Sequence, residues 1–232
     1  DVSSLSRALA SGVAASVENF RAMIRQLAIQ RLQELAPARL TLDFDGSVQS
    51  TQRYAQGTAV GFNKKKKGAR SYYPLFCIIA QTGQVFDIHH RPGNVHDSNG
   101  AKAFILSCIR ALREHLPRVK IELRMDSAFF SDAIVEALAG EGVEFTLSVP
   151  FERYTELKSL IEGRCRWRRY NGEWSYFESR WRPKKWQKRY RFIFIRQSNK
   201  RQQKGVVQLD LFTPYEVGYD FKVIITNKTA NV

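Results

Sequence analysis

The stretch IELRMDSAFF, residues 121–130, decides how this 232-residue chain is read. Ile121, Leu123 and Met125 alternate with Glu122 and Arg124, the period of two expected of a half-buried strand, and the alternation stops at Asp126. An acid at a strand end before serine has two readings. It is a turn or helix-cap element, or it is a carboxylate held at a sheet edge for chemistry. A second such stretch lies upstream. In RLTLDFDG, residues 39–46, Leu40, Leu42 and Phe44 face one way while Thr41, Asp43 and Asp45 face the other. If the two strands are neighbours in one sheet, Asp45 and Asp126 meet at one edge of it. Carboxylates held together raise each other's pKa unless a positive charge lies between them. Mg²⁺ or Mn²⁺, bound by oxygen ligands, supplies that charge and serves phosphodiester chemistry. Asp45 before Gly46-Ser47 also fits an Asx-turn, and Asp43 is a rival for the ligand role.

The elements around these stretches follow from periodicity. Val17, Phe20, Ile24, Leu27 and Leu35 recur at helical spacing ahead of Pro37 and predict an amphipathic helix over 16–35. YYPLFCIIAQ and QVFDIHHRPG predict two strands joined by a hairpin at Thr82-Gly83. Ile105, Ile109, Leu112 and Leu116 predict a helix from Ser98 to His115, stopped by Pro117. Ser131 caps a short helix through Leu138, and VEFTLSVP is a further strand. The order is strand, strand, strand, helix, strand, helix, strand. Beyond Pro150 the texture becomes β-rich: a short helix near 153–162, then RWRRY, EWSYFESRW, RYRFIFIR, VVQLDLF and FKVIITN as strand-like pieces, with RQSNKRQQKG as an exposed loop.

Charge separates the classes of partner. Lys plus Arg number 37 against 22 Asp plus Glu, a net charge of +15, which favours a polyanion such as nucleic acid. Between Arg164 and Lys204 there are 15 basic residues and two acids, together with all four tryptophans. Arg182, Lys184, Lys185 and Lys188 are the expected phosphate contacts there, and Lys64, Lys65, Lys66 and Lys67 form a second basic loop between the first two strands. Most of the tryptophans are expected in a core, with one exposed to stack on a base. No apolar run approaches the roughly 20 residues of a spanning helix, the first residues lack the basic, apolar and small-residue regions of a secretory signal, and a cytoplasmic location is expected. Cys77, Cys108 and Cys165 form neither a disulfide framework nor a zinc motif. His89, His90, His96 and Asp97 lack zinc spacing and are expected to order a loop.

Taken together, LDFDGSV, SYYPLFCIIAQTGQV, RPGNVHDSNG and LRMDSAFF resemble the DDE transposases of bacterial insertion sequences, in the group with a β-rich insertion. The resemblance covers roughly residues 38–232. It implies a ribonuclease-H-like α/β fold, a mixed sheet flanked by helices. The implied organisation is a helical segment at 1–37, the first part of a catalytic core at 38–151, a basic β-rich insertion at 152–220 and a return to the core at 221–232. Asp45 matches the family's first catalytic acid and Asp126 the second. The activity implied is metal-dependent cleavage and strand transfer at element ends, on DNA, by at least a dimer, in the bacterial cytoplasm. The family's third acid, a Glu in a Tyr-x-x-Arg-x-x-x-Glu pattern, has no match before Val232, and Glu152, Glu156 and Glu216 do not fit it. A truncated catalytic domain is therefore expected. The alternatives are a catalytically inactive DNA-binding remnant and a ribonuclease-H-like nuclease without strand transfer.

Overall fold

The alternating and helical apolar patterns resolve, in a computed structural model, into two units, Asp1–Ile121 and Glu122–Val232. Residues 2–51, 55–61, 63, 66–95, 99–150, 153–199 and 218–230 are described.

The first unit begins with helices α1 (Val2–Ala10) and α2 (Ala14–Leu35) and continues into strand β1 (Arg39–Gly46). Three short strands follow, β2 (Gln49–Ser50), β3 (Ala59–Val60) and β4 (Arg70–Tyr72), forming a small antiparallel sheet in the order β2-β4-β3. The basic stretch 63–70, predicted to be a loop, lies between β3 and β4, and of its described residues Arg70 alone is in a strand. Strands of two or three residues leave no period to read. The main strands are β1, β5 (Leu75–Ile79) and β6 (Gln84–His89), antiparallel throughout with β5 in the middle. Leu42 lies opposite Ile79 and Gly46 opposite Leu75. Helix α3 (Ala101–His115) buries Phe104, Ile105, Cys108, Ile109 and Leu112. These join Leu40, Leu42, Phe44, Cys77, Ile79 and Phe86 in one core. Each fully buried aliphatic side chain of that core contributes roughly 1.5–3 kcal/mol.

Helix α2 forms where expected but presents the opposite face. Val17, Phe20, Leu27 and Leu35 are exposed and Ile24 is half-buried, while Ala28, Ile29 and Leu32 are buried. The cause is an acid on β6. Asp87 is 1% exposed. It accepts from Arg21 Nε and Nη2 at 3.0 and 2.9 Å and forms a second ion pair with Arg25. Burial alone would raise the Asp87 carboxyl, but the hydrogen bonds and charges of the two guanidinium groups outweigh it, so its pKa lies below the ordinary value. A buried charge must keep its partners. That requirement turns the arginine face of α2 inward.

The second unit starts within β7 (Lys120–Met125). A 3₁₀ turn (Ser127–Phe129), helix α4 (Asp132–Gly140) and strand β8 (Glu144–Ser148) follow, with β8 parallel to β7. Ser131 caps α4, its hydroxyl accepting from Ile134 N–H at 3.4 Å. After helix α5 (Thr155–Glu162) come β9 (Arg168–Arg169), β10 (Trp174–Trp181), β11 (Tyr190–Ser198) and β12 (Tyr219–Thr226). The order is β7-β8-β12-β11-β10-β9, so the basic strands continue the sheet that contains β7 and β8. The core unites Leu123, Val135, Leu138, Phe145 and Leu147 with Leu157, Phe192, Phe194, Val223 and Ile225. Arg196, Gln197 and Ser198 belong to β11, correcting the loop predicted from residue 196; that loop beyond Asn199, and VVQLDLF, lie outside the described residues. The tryptophans also depart from expectation. Trp186 alone is fully buried, and Trp167, Trp174 and Trp181 are half-buried, with none exposed.

Along the chain, three antiparallel main strands, a helix, a strand, a helix and a strand follow one another. This is the ribonuclease-H-like order. Among the described residues no helix is long and apolar enough to cross a membrane.

Candidate active site

Both motif aspartates stand at the ends of strands, and in both the same atom is held in the same way. Asp45 is the penultimate residue of β1, exposed, with Oδ1 accepting from Gly46 N–H at 2.8 Å. Asp126 directly follows β7 and caps the 3₁₀ turn, its Oδ1 accepting from Ala128 N–H at 2.9 Å. The cap reading and the chemical reading of Asp126 are thus compatible, since one oxygen serves the turn. Asp43, two residues before Asp45 on the same strand face, is half-buried and lies opposite Ile78. Among the described residues no group of three His, Cys, Asp or Glu side chains is arranged to hold a metal ion.

The end of β1 is braced by two segments that the sequence marks only as resemblance motifs. A Cβ added at Gly46 would lie 2.6 Å from Tyr73 Oη, so the tyrosine ring covers the residue after Asp45 and would have to shift for any larger residue there. Tyr73 is in turn fastened to Arg91, the first residue of RPGN. Tyr73 N–H donates to the Arg91 carbonyl at 2.8 Å, Arg91 Nε donates to the Tyr73 carbonyl at 3.1 Å, and the guanidinium lies 5.2 Å from the Tyr73 ring centre. Arg91 is 3% exposed and also donates from Nη1 to the Asn99 carbonyl at 2.7 Å. Gly93 of the same motif packs on β4, where a Cβ would fall 2.2 Å from Ser71 Oγ. Tyr73 and Arg91 are the positioning residues that sequence reasoning missed. An arginine beside a glycine in a polar loop gives no periodic sign of burial.

His89 and His90 pack on rings. His89 stacks on Phe104 at 5.6 Å and His90 lies against Tyr72 at 4.5 Å. Burial, aided by the charge of Arg91, pushes the His89 imidazole below its ordinary pKa. His96 and Asp97 lie outside the described residues.

On the second unit, an aromatic cluster adjoins the Asp126 turn. Phe130 stacks on Trp186 at 4.8 Å and meets Tyr154 and Phe192 edge-on at 5.9 and 6.5 Å. Trp186 thereby fixes the basic turn between β10 and β11. The cations expected to contact phosphate are partly engaged within the protein. Arg182 donates to the Trp186 carbonyl, Lys184 lies 3.9 Å from Glu156, and Lys188 lies 3.4 Å from Glu136. Lys185, Lys66 and Lys67 are exposed, and Lys64 and Lys65 lie outside the described residues.

The fold and its strand-end acids define a class of protein also found by comparison of sequences: the family described as transposase DDE domain group 1 matches residues 2–208. The chain belongs to that family. No curated protein matches it. Solved structures that resemble it include piggyBac transposase in a synaptic complex with hairpin DNA, at 10% identity and a TM-score of 0.48, covering 92% of this chain and 41% of that one. The catalytic domain of Mos1 mariner transposase matches at 12% identity and a TM-score of 0.33, covering 65% of this chain and 73% of that one. A Mos1 paired-end complex with Mn matches at 12% identity and a TM-score of 0.32, covering 54% and 40%. The chain thus spans less than half the length of the piggyBac chain.

Proposed function

We propose that this protein carries out metal-dependent DNA transposition, cleaving phosphodiesters at the ends of an insertion sequence and joining the freed 3′-hydroxyl to target DNA. The observation that carries the proposal is the matched pair of strand-end aspartates, Asp45 and Asp126, in a chain of the DDE family. Each has Oδ1 fixed by a backbone N–H of its own turn. Carboxylate oxygens oriented in this way suit a hard divalent cation. Asp45 and Asp126 are the residues that would hold Mg²⁺ or Mn²⁺, which when bound activates the attacking oxygen and stabilises the leaving one. Asp45 is favoured over Asp43 because it stands at the strand end, next to the glycine covered by Tyr73. The basic, β-rich residues 152–220 act as the DNA-contacting insertion. Holding two element ends together requires two copies of the protein on DNA.

The test is Mn²⁺ titration and Mn²⁺-dependent nicking of plasmid DNA by the wild type and by Asp45→Asn, Asp126→Asn and Asp43→Asn, each checked for fold by circular dichroism. Loss of both properties in the first two variants and retention in the third is expected. An unaltered titration in Asp45→Asn and Asp126→Asn sinks the metal assignment.

A further inference from the structure

The β10–β11 hairpin closes where Trp181 pairs with Tyr190, and the turn beyond it carries Arg182, Lys184, Lys185, Lys188 and Arg189. Two clefts open at this end. One, of about 330 Å³, is lined by Arg180, Trp181, Arg182, Lys184 and Arg189. The other, of about 580 Å³, shares Arg180 and Arg189 and extends to Glu178, Arg191 and Lys228.

The charges around these clefts are unequally compensated. Arg191 is held by both carboxylate oxygens of Glu178, at 2.7 and 2.9 Å, which keeps the Glu178 carboxyl below its ordinary pKa. Lys184 faces Glu156, and Arg182 is bonded to backbone carbonyls of its own turn. Among the described residues, the side chains of Arg180 and Arg189 have neither an acidic partner nor a hydrogen bond. Arg180 stands directly across the strand pair from Arg191, whose charge Glu178 offsets. Trp181, which is part of the smaller cleft's lining, is fixed edge-on against Tyr154 at 5.3 Å and Phe192 at 5.1 Å. Two guanidinium groups that line the same clefts without an acidic partner match a phosphodiester, since arginine binds phosphate through paired N–H donors.

We infer that Arg180 and Arg189 form a phosphate-binding cleft that grips the DNA backbone. The identity of the ligand as DNA rests on the transposase function proposed above. Neither arginine is among the cations that the charge run singles out.

The experiment measures affinity for random-sequence duplex DNA against salt concentration. It compares the wild type with the double variants Arg180→Ala/Arg189→Ala and Lys184→Ala/Lys188→Ala. Loss of two phosphate contacts flattens the slope of log affinity against log salt by about 1.8, and this is expected of the arginine variant, with a smaller change in the lysine variant. A wild-type slope in the arginine variant overturns the cleft. Mn²⁺-dependent nicking by the wild type, assayed in parallel, separates the two proposals. An unchanged slope with nicking intact removes the cleft and leaves the function. A flattened slope without nicking keeps the cleft and removes the catalytic function.

Discussion

The two units support their aspartates by different physics. In the first, the end of β1 is braced by buried polar groups: Tyr73 over Gly46, Arg91 beneath Tyr73, and the Asp87 ion pairs that fasten α2. In the second, the turn after β7 adjoins stacked rings, Phe130 on Trp186 with Phe192 and Tyr154 at their edges. A charged scaffold depends on protonation and on each partner staying in place, while an aromatic one depends on filled volume. The same chemical group at the end of a strand can therefore be held by supports that fail under different conditions.

The largest expected effects separate these supports by pH. Asp87→Ala leaves two arginines facing an empty buried site and is expected to cost about 3–5 kcal/mol at pH 7. Trp186→Ala opens a cavity and is expected to cost a similar amount, about 3–5 kcal/mol. Because the Asp87 carboxyl is held below its ordinary pKa, its stabilisation is present above the unfolded value of about 3.9 and is lost as pH falls through the folded one. Denaturant unfolding at pH 7 and at about pH 3 should show the Asp87→Ala deficit shrinking in acid and the Trp186→Ala deficit persisting. Equal shrinkage in both would break the distinction.

A smaller effect compares the two aspartates themselves. Asp126 caps a turn, so Asp126→Ala should cost about 1 kcal/mol, whereas Asp126→Asn keeps a capping oxygen and should be near neutral. Asp45 is exposed and its carboxylate bonds the next N–H, so Asp45→Ala should stay within about 0.5 kcal/mol. Thermal melts of the three variants check this; a destabilised Asp45→Ala would mean that β1 needs its carboxylate for folding. The smallest effect is on thiol chemistry. Cys77 and Cys108 are buried, and burial pushes the Cys77 thiol up, while Cys165 is exposed. A colourimetric thiol reagent should therefore titrate one cysteine in the native protein and three after unfolding.

Much of the fold was legible in the sequence because β1, β5, β6, β7 and β8 carry their period in their side chains and α3 buries an uninterrupted apolar stripe. The prediction failed where charge replaced hydrophobicity as the inward-facing property. On α2 the visible stripe of Val17, Phe20 and Leu27 is the outer one, because Arg21 and Arg25 reach Asp87 some sixty residues away, a pairing that no local pattern encodes. The strand-end acids were readable from alternation and from motif resemblance. Their supports were not, since Tyr73 and Arg91 matter through a close approach to Gly46. Likewise the density of lysines near residue 185 points to Lys184 and Lys188, which face Glu156 and Glu136, while Arg180 and Arg189, set apart by the hairpin turn, have no acidic partner among the described residues.

The position of β12 bears on how the chain is made. Its residues, 219–226, lie between β8 and β11, and Thr226 Oγ1 donates to the carbonyl of Phe145, 81 residues earlier. Asn227 completes the junction by bonding Phe145 N–H and the Val143 carbonyl. During synthesis the local β10–β11 hairpin can form early, yet β8 and β11 each keep an unpaired edge until β12 emerges from the ribosome. Such edges invite pairing with other chains, and closing contacts this distant in sequence is slow. The interval between translation of β8 and of β12 is therefore when a nascent chain most needs a chaperone, and slowing the ribosome across residues 149–218 should lower soluble yield.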